Sequence, residues 1–98
     1  MILAHIAIEV NPENRDLLIT TATDAMEKSQ AEEGCILYQF SADLKAQNRF
    51  YLSELWASQE ALDAHLAQPY TKNALSVFGS ISKMDIKLYR GEMEAGTP

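Results

Sequence analysis

The sequence predicts one α+β domain with a ferredoxin-like β-α-β-β-α-β order, and three observations support this prediction. Four stretches show the β-branched or alternating apolar pattern of strands. The longer stretches between them repeat apolar residues at helical spacing. The chain has 98 residues, enough for one compact domain and too few for two. We therefore expect a single domain over 1–90 and a flexible C-terminal tail over 91–98.

The first third of the chain predicts a strand followed by a helix. Residues 2–10 are rich in apolar and β-branched side chains, which favour a strand. Apolar side chains then recur at helical spacing over 12–33, and Pro12 suits the first helical position. Gly34 is the predicted end of this helix, because glycine commonly terminates helices.

Two strands with a short polar loop between them are predicted next, over 35–43 and 49–57. One face of the second strand is predicted to carry Ile36, Tyr38 and Phe40, and the other face Cys35 and Leu37. One face of the third strand is predicted to carry Phe50, Leu52, Glu54 and Trp56, and the other face Arg49, Tyr51, Ser53 and Leu55. A buried small hydrophobe is the expected role of the single cysteine.

The last third predicts two helices and a closing strand. Ser58 is a good cap for a helix over 59–67, which Pro69 ends. A further helix is predicted over 71–81, and clean alternation predicts the final strand over 83–90.

The composition of the central strands points beyond a monomer. In a ferredoxin-like fold the helices cover one face of the sheet, so the other face should alternate with polar residues if water covers it. Both faces of the second and third strands are at least half apolar. We expect a homodimer with sheet packed against sheet, although scattered surface hydrophobes are the alternative.

Charge and targeting features exclude several classes of function. Net charge is −6, from 8 Lys plus Arg against 14 Asp plus Glu, and the basic residues are scattered. We therefore expect neither a nucleic acid nor a membrane as partner. One cysteine allows no intramolecular disulfide, no apolar run approaches membrane-spanning length, and the first residues lack a signal-peptide pattern. The cytoplasm is the expected location.

Two residues stand out as candidates for chemistry. Glu54 shares a strand face with apolar residues, which would raise its pKa or require a partner. His65 falls on the apolar side of its helix, where imidazole could accept a proton from a weakly acidic substrate. The structural alternatives are a satisfied core or interface histidine and a strand-end carboxylate. Strand parity leaves open whether Glu54 and Trp56 face the helices or a dimer partner.

Three segments resemble antibiotic biosynthesis monooxygenase domains. Residues 33–40, EGCILYQF, are similar to the family's "EPGC-x-x-Y-x-hydrophobic" segment. Residues 48–56, NRFYLSELW, resemble its third strand with Arg-Phe and Glu-x-Trp, and 58–66, SQEALDAHL, match a helix ending in "ALDAHL".

This resemblance implies a dimeric α/β barrel with a pocket between sheet and helices in each subunit. It also implies a cofactor-free monooxygenase that uses O₂ on a small aromatic substrate, a hydroquinone or polyphenol. His65 would be the base and Glu54 its orienting or proton-storing partner, and no metal or flavin is expected. The implied substrate-binding residues are Trp56, Tyr38, Phe50 and, near the pocket's edge, Asn48 or Arg49.

One position departs from the family pattern. Many relatives have a histidine directly after the proline that ends the second helix, and here that residue is Tyr70. Tyrosine could donate a hydrogen bond to the substrate but is a poor base at neutral pH.

Two other functions stay open on the sequence. The first is isomerisation of a small phosphorylated dione, for which Arg49 is the visible strand candidate to bind phosphate. The second is binding of a small molecule without turnover.

Overall fold

The computed structural model describes residues 1–97, and its elements follow the predicted order. The strands are β1 (Ile2–Val10), β2 (Cys35–Ala42), β3 (Arg49–Trp56) and β4 (Ser82–Arg90). The helices are α1 (Arg15–Gln30), α2 (Gln59–Ala67) and α3 (Pro69–Ile81), and a 3₁₀ turn over Pro12–Asn14 precedes α1. Residues 91–97 form no helix or strand, and Pro98 lies outside the described residues. The flexible tail stays a prediction.

The four strands form one antiparallel sheet in the order β2-β3-β1-β4. This is the ferredoxin-like arrangement, so the predicted α+β fold is confirmed. The sheet of one chain is open, with β2 and β4 at its edges. Closure into a barrel would therefore need a second copy of the chain, and the dimer stays a prediction.

The alternation of β1 and β3 sets which face of the sheet is buried. Register pairs Ile2 with Trp56 and Ala4 with Glu54, so all four side chains lie on one face. All four are buried under the helices. The parity that the sequence leaves open is thus decided, because Glu54 and Trp56 face the helix side.

A β-bulge in β2 changes the predicted faces of two residues. Cys35 pairs with Trp56 and Leu37 with Leu55, which leaves Ile36 as an extra residue. Cys35 therefore lies on the helix side with Tyr38 and packs against the core, whereas Ile36 is 51% exposed. The sequence-based assignment of these two residues is wrong, since an inserted residue breaks strict alternation.

The helix boundaries differ slightly from the predicted ones. α1 ends at Gln30, three residues before the predicted end, and a turn connects it to β2. The cap at Ser58 is confirmed, since its Oγ accepts a hydrogen bond from the Ala61 amide at 3.1 Å. Pro69 opens α3 two residues before its predicted start, as expected for proline in a first helical turn. None of these helices is both long and apolar enough to cross a membrane.

The turn between α1 and β2 packs tightly against α2. Gly34 has a φ of +81°, a conformation that favours glycine. A Cβ on Gly34 would lie 2.5 Å from the Cβ of Ala61. The Gly34 carbonyl also accepts a hydrogen bond from the Ala57 amide at 2.8 Å. Glycine is therefore required here both by backbone conformation and by space.

We predict that Gly34→Ala lowers the free energy of unfolding by about 2–4 kcal/mol, because it combines backbone strain with a clash. Gly79→Ala is the matched control, since Gly79 lies within α3 and a Cβ there meets nothing within 4 Å. The control should raise stability by about 0.5–1 kcal/mol. Urea unfolding at one protein concentration measures the unfolding free energy of both variants. Equal changes in Gly34→Ala and Gly79→Ala would contradict the prediction.

Candidate active site

A cavity of about 200 Å³ lies between the sheet and the helices. Side chains from β1, β2, β3, β4 and all three helices line it. Most of its wall is apolar, as shown by Ile6, Leu52, Leu62, Ala74, Phe78 and Met84. A cavity of this kind is the usual form of a small-molecule site.

The cavity is bordered by half-exposed apolar side chains along the β4 edge of the sheet. Ile86 and Leu88 of β4 are 54% and 48% exposed, and Leu66 of α2 and Leu75 of α3 are 44% and 42% exposed. All four also line the cavity. This places its mouth between the edge strand and the two C-terminal helices.

His65 lies at the polar end of the cavity. The side chain is 3% exposed, and its Nδ1 lies 2.6 Å from Oε2 of Glu32. A carboxylate can only accept a hydrogen bond, so with ionised Glu32 the Nδ1 atom carries the proton. Nε2 is then left with a lone pair and can accept a proton.

Glu54 lies on the other side of the same imidazole. Its Oε1 accepts a hydrogen bond from Trp56 Nε1 at 2.9 Å and lies 3.8 Å from His65 Nε2, beyond hydrogen-bond distance. Burial is the main cause that raises the pKa of Glu54, and nearby Glu32 adds to it. The Trp56 hydrogen bond and His65 oppose this rise in pKa. Glu54 is therefore a carboxyl group that holds a proton more readily than usual.

Aromatic rings enclose the imidazole of His65. The ring centroids of Trp56 and Tyr38 lie 4.5 Å and 5.5 Å from that of His65. Trp56 is completely buried, and burial also raises the pKa of Tyr38 far above its ordinary value. These rings keep water from the imidazole and hold it in one orientation.

Three hydroxyl groups lie around this end of the cavity. Thr71 Oγ1 is 3.5 Å from His65 Nδ1. Within residues 1–97, Ser29 Oγ and Tyr70 OH are buried and lack a hydrogen bond of good geometry. Burial, and after it the hydrogen-bonding contact with Glu32, raises the pKa of Tyr70 to about 12, while contacts with Ser29 and Thr71 oppose this rise. Tyr70 is therefore a neutral hydrogen-bond donor.

The structure brings four of the eight predicted site residues to the cavity wall, places a fifth directly behind them and separates the other three. His65, Glu54, Tyr38 and Tyr70 line the cavity. Trp56 contacts the site from behind, through its indole N–H and its ring.

The other three predicted binding residues lie elsewhere. Phe50 is buried beside Arg15, whose guanidinium lies 5.4 Å from the ring centre, in a groove between α1 and β2. Arg49 binds Glu9 at 3.1 Å, and Asn48 lies beside it in a shallow polar groove. Since β3 is extended, residues at its start lie far along the sheet from Glu54.

Sequence reasoning missed Glu32 and Ser29. Ser29 continues the buried face of α1 after Leu18, Ala22 and Ala25, so helical spacing could have indicated it. Glu32 lies in the turn after α1, where no periodicity applies. Its only sequence signal is its place two residues before Gly34.

The described residues 1–97 contain no cluster of three or more His, Cys, Asp or Glu side chains arranged to hold a metal ion.

Comparison with known proteins identifies the family. The family model described as "Antibiotic biosynthesis monooxygenase" matches residues 1–76, which is more than half of the chain. The chain belongs to this family.

One curated relative and two solved structures are similar to this chain, and the solved structures share its fold. "Putative monooxygenase YcnE" of Bacillus subtilis (strain 168) is 31% identical over 65 residues, which cover 66% of this chain and 68% of that protein. The crystal structure of a "putative antibiotic biosynthesis monooxygenase" from Deinococcus radiodurans has a TM-score of 0.90 at 23% identity. The match covers 100% of this chain and 99% of that one. A conserved protein of unknown function from Bacteroides thetaiotaomicron has a TM-score of 0.85 at 25% identity, over 90% and 94% of the two chains.

We predict that the unfolding free energy of Glu54→Gln increases relative to that of wild type as pH rises. A raised pKa means that the folded state binds the proton of Glu54 more tightly than the unfolded state does. Wild-type stability therefore falls as pH rises from the unfolded pKa to the folded one. Glutamine does not titrate and keeps an oxygen to accept the Trp56 hydrogen bond.

The unfolding free energy of Glu54→Gln minus that of wild type should be larger at pH 8 than at pH 4. Urea unfolding followed by circular dichroism measures this difference. Glu27→Gln, a change at an exposed position of α1, should show a nearly constant difference. A constant difference for Glu54→Gln as well would contradict the raised pKa.

Proposed function

We propose that this protein is a cofactor-independent monooxygenase that oxidises a small hydroquinone or polyphenol with O₂. One observation carries the proposal: a buried imidazole has one nitrogen held by Glu32 while the ring borders an apolar cavity. That arrangement suits a general base for a weakly acidic, apolar substrate. Membership of the monooxygenase family supports the same reaction class.

The proposed reaction begins with proton transfer. His65 Nε2 takes the proton of a phenolic hydroxyl, and Glu32 stabilises the imidazolium that forms through its 2.6 Å contact with Nδ1. The apolar wall leaves the phenolate poorly solvated, which favours its transfer of one electron to O₂. In this proposal Glu32 has the orienting role, which is one of the two roles, orienting or proton-storing, that the family resemblance implied for Glu54.

The remaining steps insert one oxygen atom. The superoxide and the organic radical combine to form a ring carbon–oxygen bond, and the peroxide takes the proton held by His65. The same ring carbon then loses its hydrogen as a proton while the O–O bond breaks, so that water leaves. A hydroquinone and O₂ thus give a hydroxyquinone and water. Glu54, with its raised pKa, is the group that holds and returns protons during the last step.

The charge of the cavity favours this substrate class over a phosphorylated dione. Among the described residues that line the cavity, none is Lys or Arg. Arg49, the sequence candidate for phosphate binding, pairs with Glu9 and lies outside the cavity. A phosphate group beside Glu54 would instead be buried next to a carboxyl group without a compensating charge.

The cavity volume favours a small substrate. An engineered protein cavity of about 150 Å³ accepts benzene. The 200 Å³ found here accordingly suits one aromatic ring with substituents, while larger groups would extend through the mouth at β4.

We also propose a homodimer through the open face of the sheet. A row of apolar side chains crosses this face in register, formed by Leu37, Leu55, Leu3 and Tyr89 of four neighbouring strands. Leu37 and Tyr89 are 42% and 55% exposed in the single chain. Packing two such rows together by two-fold symmetry would remove them from water.

We predict that Leu37→Lys weakens the dimer at least about tenfold, because symmetry places two lysines in an apolar interface. Leu44→Lys is the matched control, since Leu44 is fully exposed in the loop between β2 and β3. Sedimentation equilibrium should show dissociation for the first variant only. A wild-type protein that stays monomeric at about 100 μM would contradict the proposed dimer.

We predict that His65→Gln lowers kcat for oxygen uptake about 100-fold or more, because glutamine cannot act as the base. Its amide can still donate to Glu32, so the fold and KM should change little. Oxygen consumption with a panel of hydroquinones and polyphenols, in buffer containing a metal chelator, measures the effect.

Retained activity in His65→Gln, within about twofold of wild type, would remove His65 as the base. Absence of uptake by folded wild-type protein across the whole panel would contradict the monooxygenase proposal. Turnover of a phosphorylated dione without oxygen use, or ligand-induced thermal stabilisation alone, would then identify the isomerase or the binding protein.

A further inference from the structure

The face of β1 that lies under the helices carries one side chain that is much smaller than the others. The buried residues of this face are Ile2, Ala4, Ile6, Ile8 and Val10. β1 is a central strand, because it pairs with both β3 and β4. Central strands favour β-branched side chains, which all the other residues of this face have. The strand alone would therefore favour a larger residue than alanine at position 4.

The register of the sheet places Ala4 between the polar end of the cavity and its mouth. Ala4 pairs with Glu54 of β3 on one side and with Leu88 of β4 on the other. Tyr38 of β2 pairs with Glu54, so these four residues form one row across the sheet. All four line the cavity. Paired side chains on one face lie about 4.5–5.5 Å apart, so the small side chain of Ala4 leaves room directly beside Glu54 and Leu88.

A larger side chain at position 4 would take up part of the cavity. Isoleucine, which precedes and follows Ala4 on this face, would add half as many carbon atoms as a benzene ring contains. A cavity of about 150 Å³ accepts benzene. The cavity here measures about 200 Å³, so the space that Ala4 leaves open is a large share of what a substituted ring needs.

We propose that Ala4 determines the size of the ring that the site accepts. The ring lies on β1 over Ala4, with its hydroxyl group toward His65 and its far side toward Leu88 and the mouth. Ala4 contacts the substrate and takes no part in proton transfer. The direction of the hydroxyl group rests on the proposed function.

The polarity along this row defines the ligand class. At one end lie Glu54 and His65, which can exchange a proton with a hydroxyl group. The floor at Ala4 and the mouth at Leu88 and Leu66 offer only apolar side chains. A ligand that matches both ends is a hydroxylated ring with an apolar body, and the ring size is limited by the side chain at position 4.

A test compares the anaerobic binding of phenol with that of 2-naphthol, whose second ring adds apolar bulk. The readout is the single tryptophan of the chain, because the indole N–H of Trp56 donates to Glu54 and gives one NMR resonance to follow. In wild type, 2-naphthol should bind at least about tenfold more tightly than phenol, since it buries more apolar surface.

Ala4→Val should lower the preference for 2-naphthol at least about tenfold, because an apolar pocket discriminates against carbon atoms for which it has no room. Without ligand, this variant should unfold at the same temperature as wild type or higher, since valine fills space and suits a central strand. Ala4→Cys adds a single sulfur atom and should lower the preference about threefold. This smaller change carries the test if the valine variant does not fold.

Ala7→Val is the matched control, since Ala7 lies in the same strand on the opposite face of the sheet. It adds the same atoms outside the cavity and should leave the preference for 2-naphthol as in wild type.

Three results would overturn the role of Ala4. The first is a wild type that binds neither compound or binds both equally. The second is a folded Ala4→Val variant, or a Cys variant in its place, with the preference of wild type. The third is an Ala7→Val variant that loses as much preference as Ala4→Val. Ala4-dependent binding without oxygen uptake would confirm the role of Ala4 and contradict the monooxygenase proposal. Oxygen uptake with a preference that Ala4→Val leaves unchanged would do the reverse.

Discussion

The close approach of α2 to the turn between α1 and β2 is the constraint on which the candidate site depends. Gly34 has no side chain, and this lets Ala61 pack directly against the turn. His65 lies one helical turn after Ala61, and Glu32 lies two residues before Gly34. The same packing therefore brings the carboxylate and the imidazole to 2.6 Å, although 33 residues separate them in the chain. A larger residue at position 34 would push apart the two segments that carry Glu32 and His65.

The buried polar groups of the site oppose folding stability and favour chemistry. Glu54, His65 and Ser29 are all less than one-tenth exposed, and each is placed where an apolar residue would fit the core. Hydrogen bonds from Trp56 and to Glu32 offset part of this cost. The burial that carries this cost also raises the pKa of Glu54, so that this carboxyl group holds a proton more readily than usual.

The sequence predicted the fold, and four of the eight site residues it proposed line the cavity. The signals for the fold and for these residues are largely periodic. Alternation in β3 placed Glu54 and Trp56 on one face, and helical spacing placed His65 toward the sheet. The bulge at Ile36 escaped prediction because a strand pattern does not reveal an inserted residue. Phe50 and Arg49 lie in β3 with Glu54, and Asn48 lies directly before this strand. The family resemblance implied that all three belong to one pocket with Glu54. The extended strand instead carries them away from it.

Local patterns in the sequence determined the element order, the antiparallel ferredoxin-like sheet and the positions of Glu54 and His65 on apolar faces. Each of these depends on residues a few positions apart. Only the tertiary structure decided that Glu54 faces the helices, that Glu32 holds His65 and that Ser29 and Tyr70 meet at one cavity. These contacts join different elements, and their distances depend on how the helices pack on the sheet. No local periodicity encodes that packing.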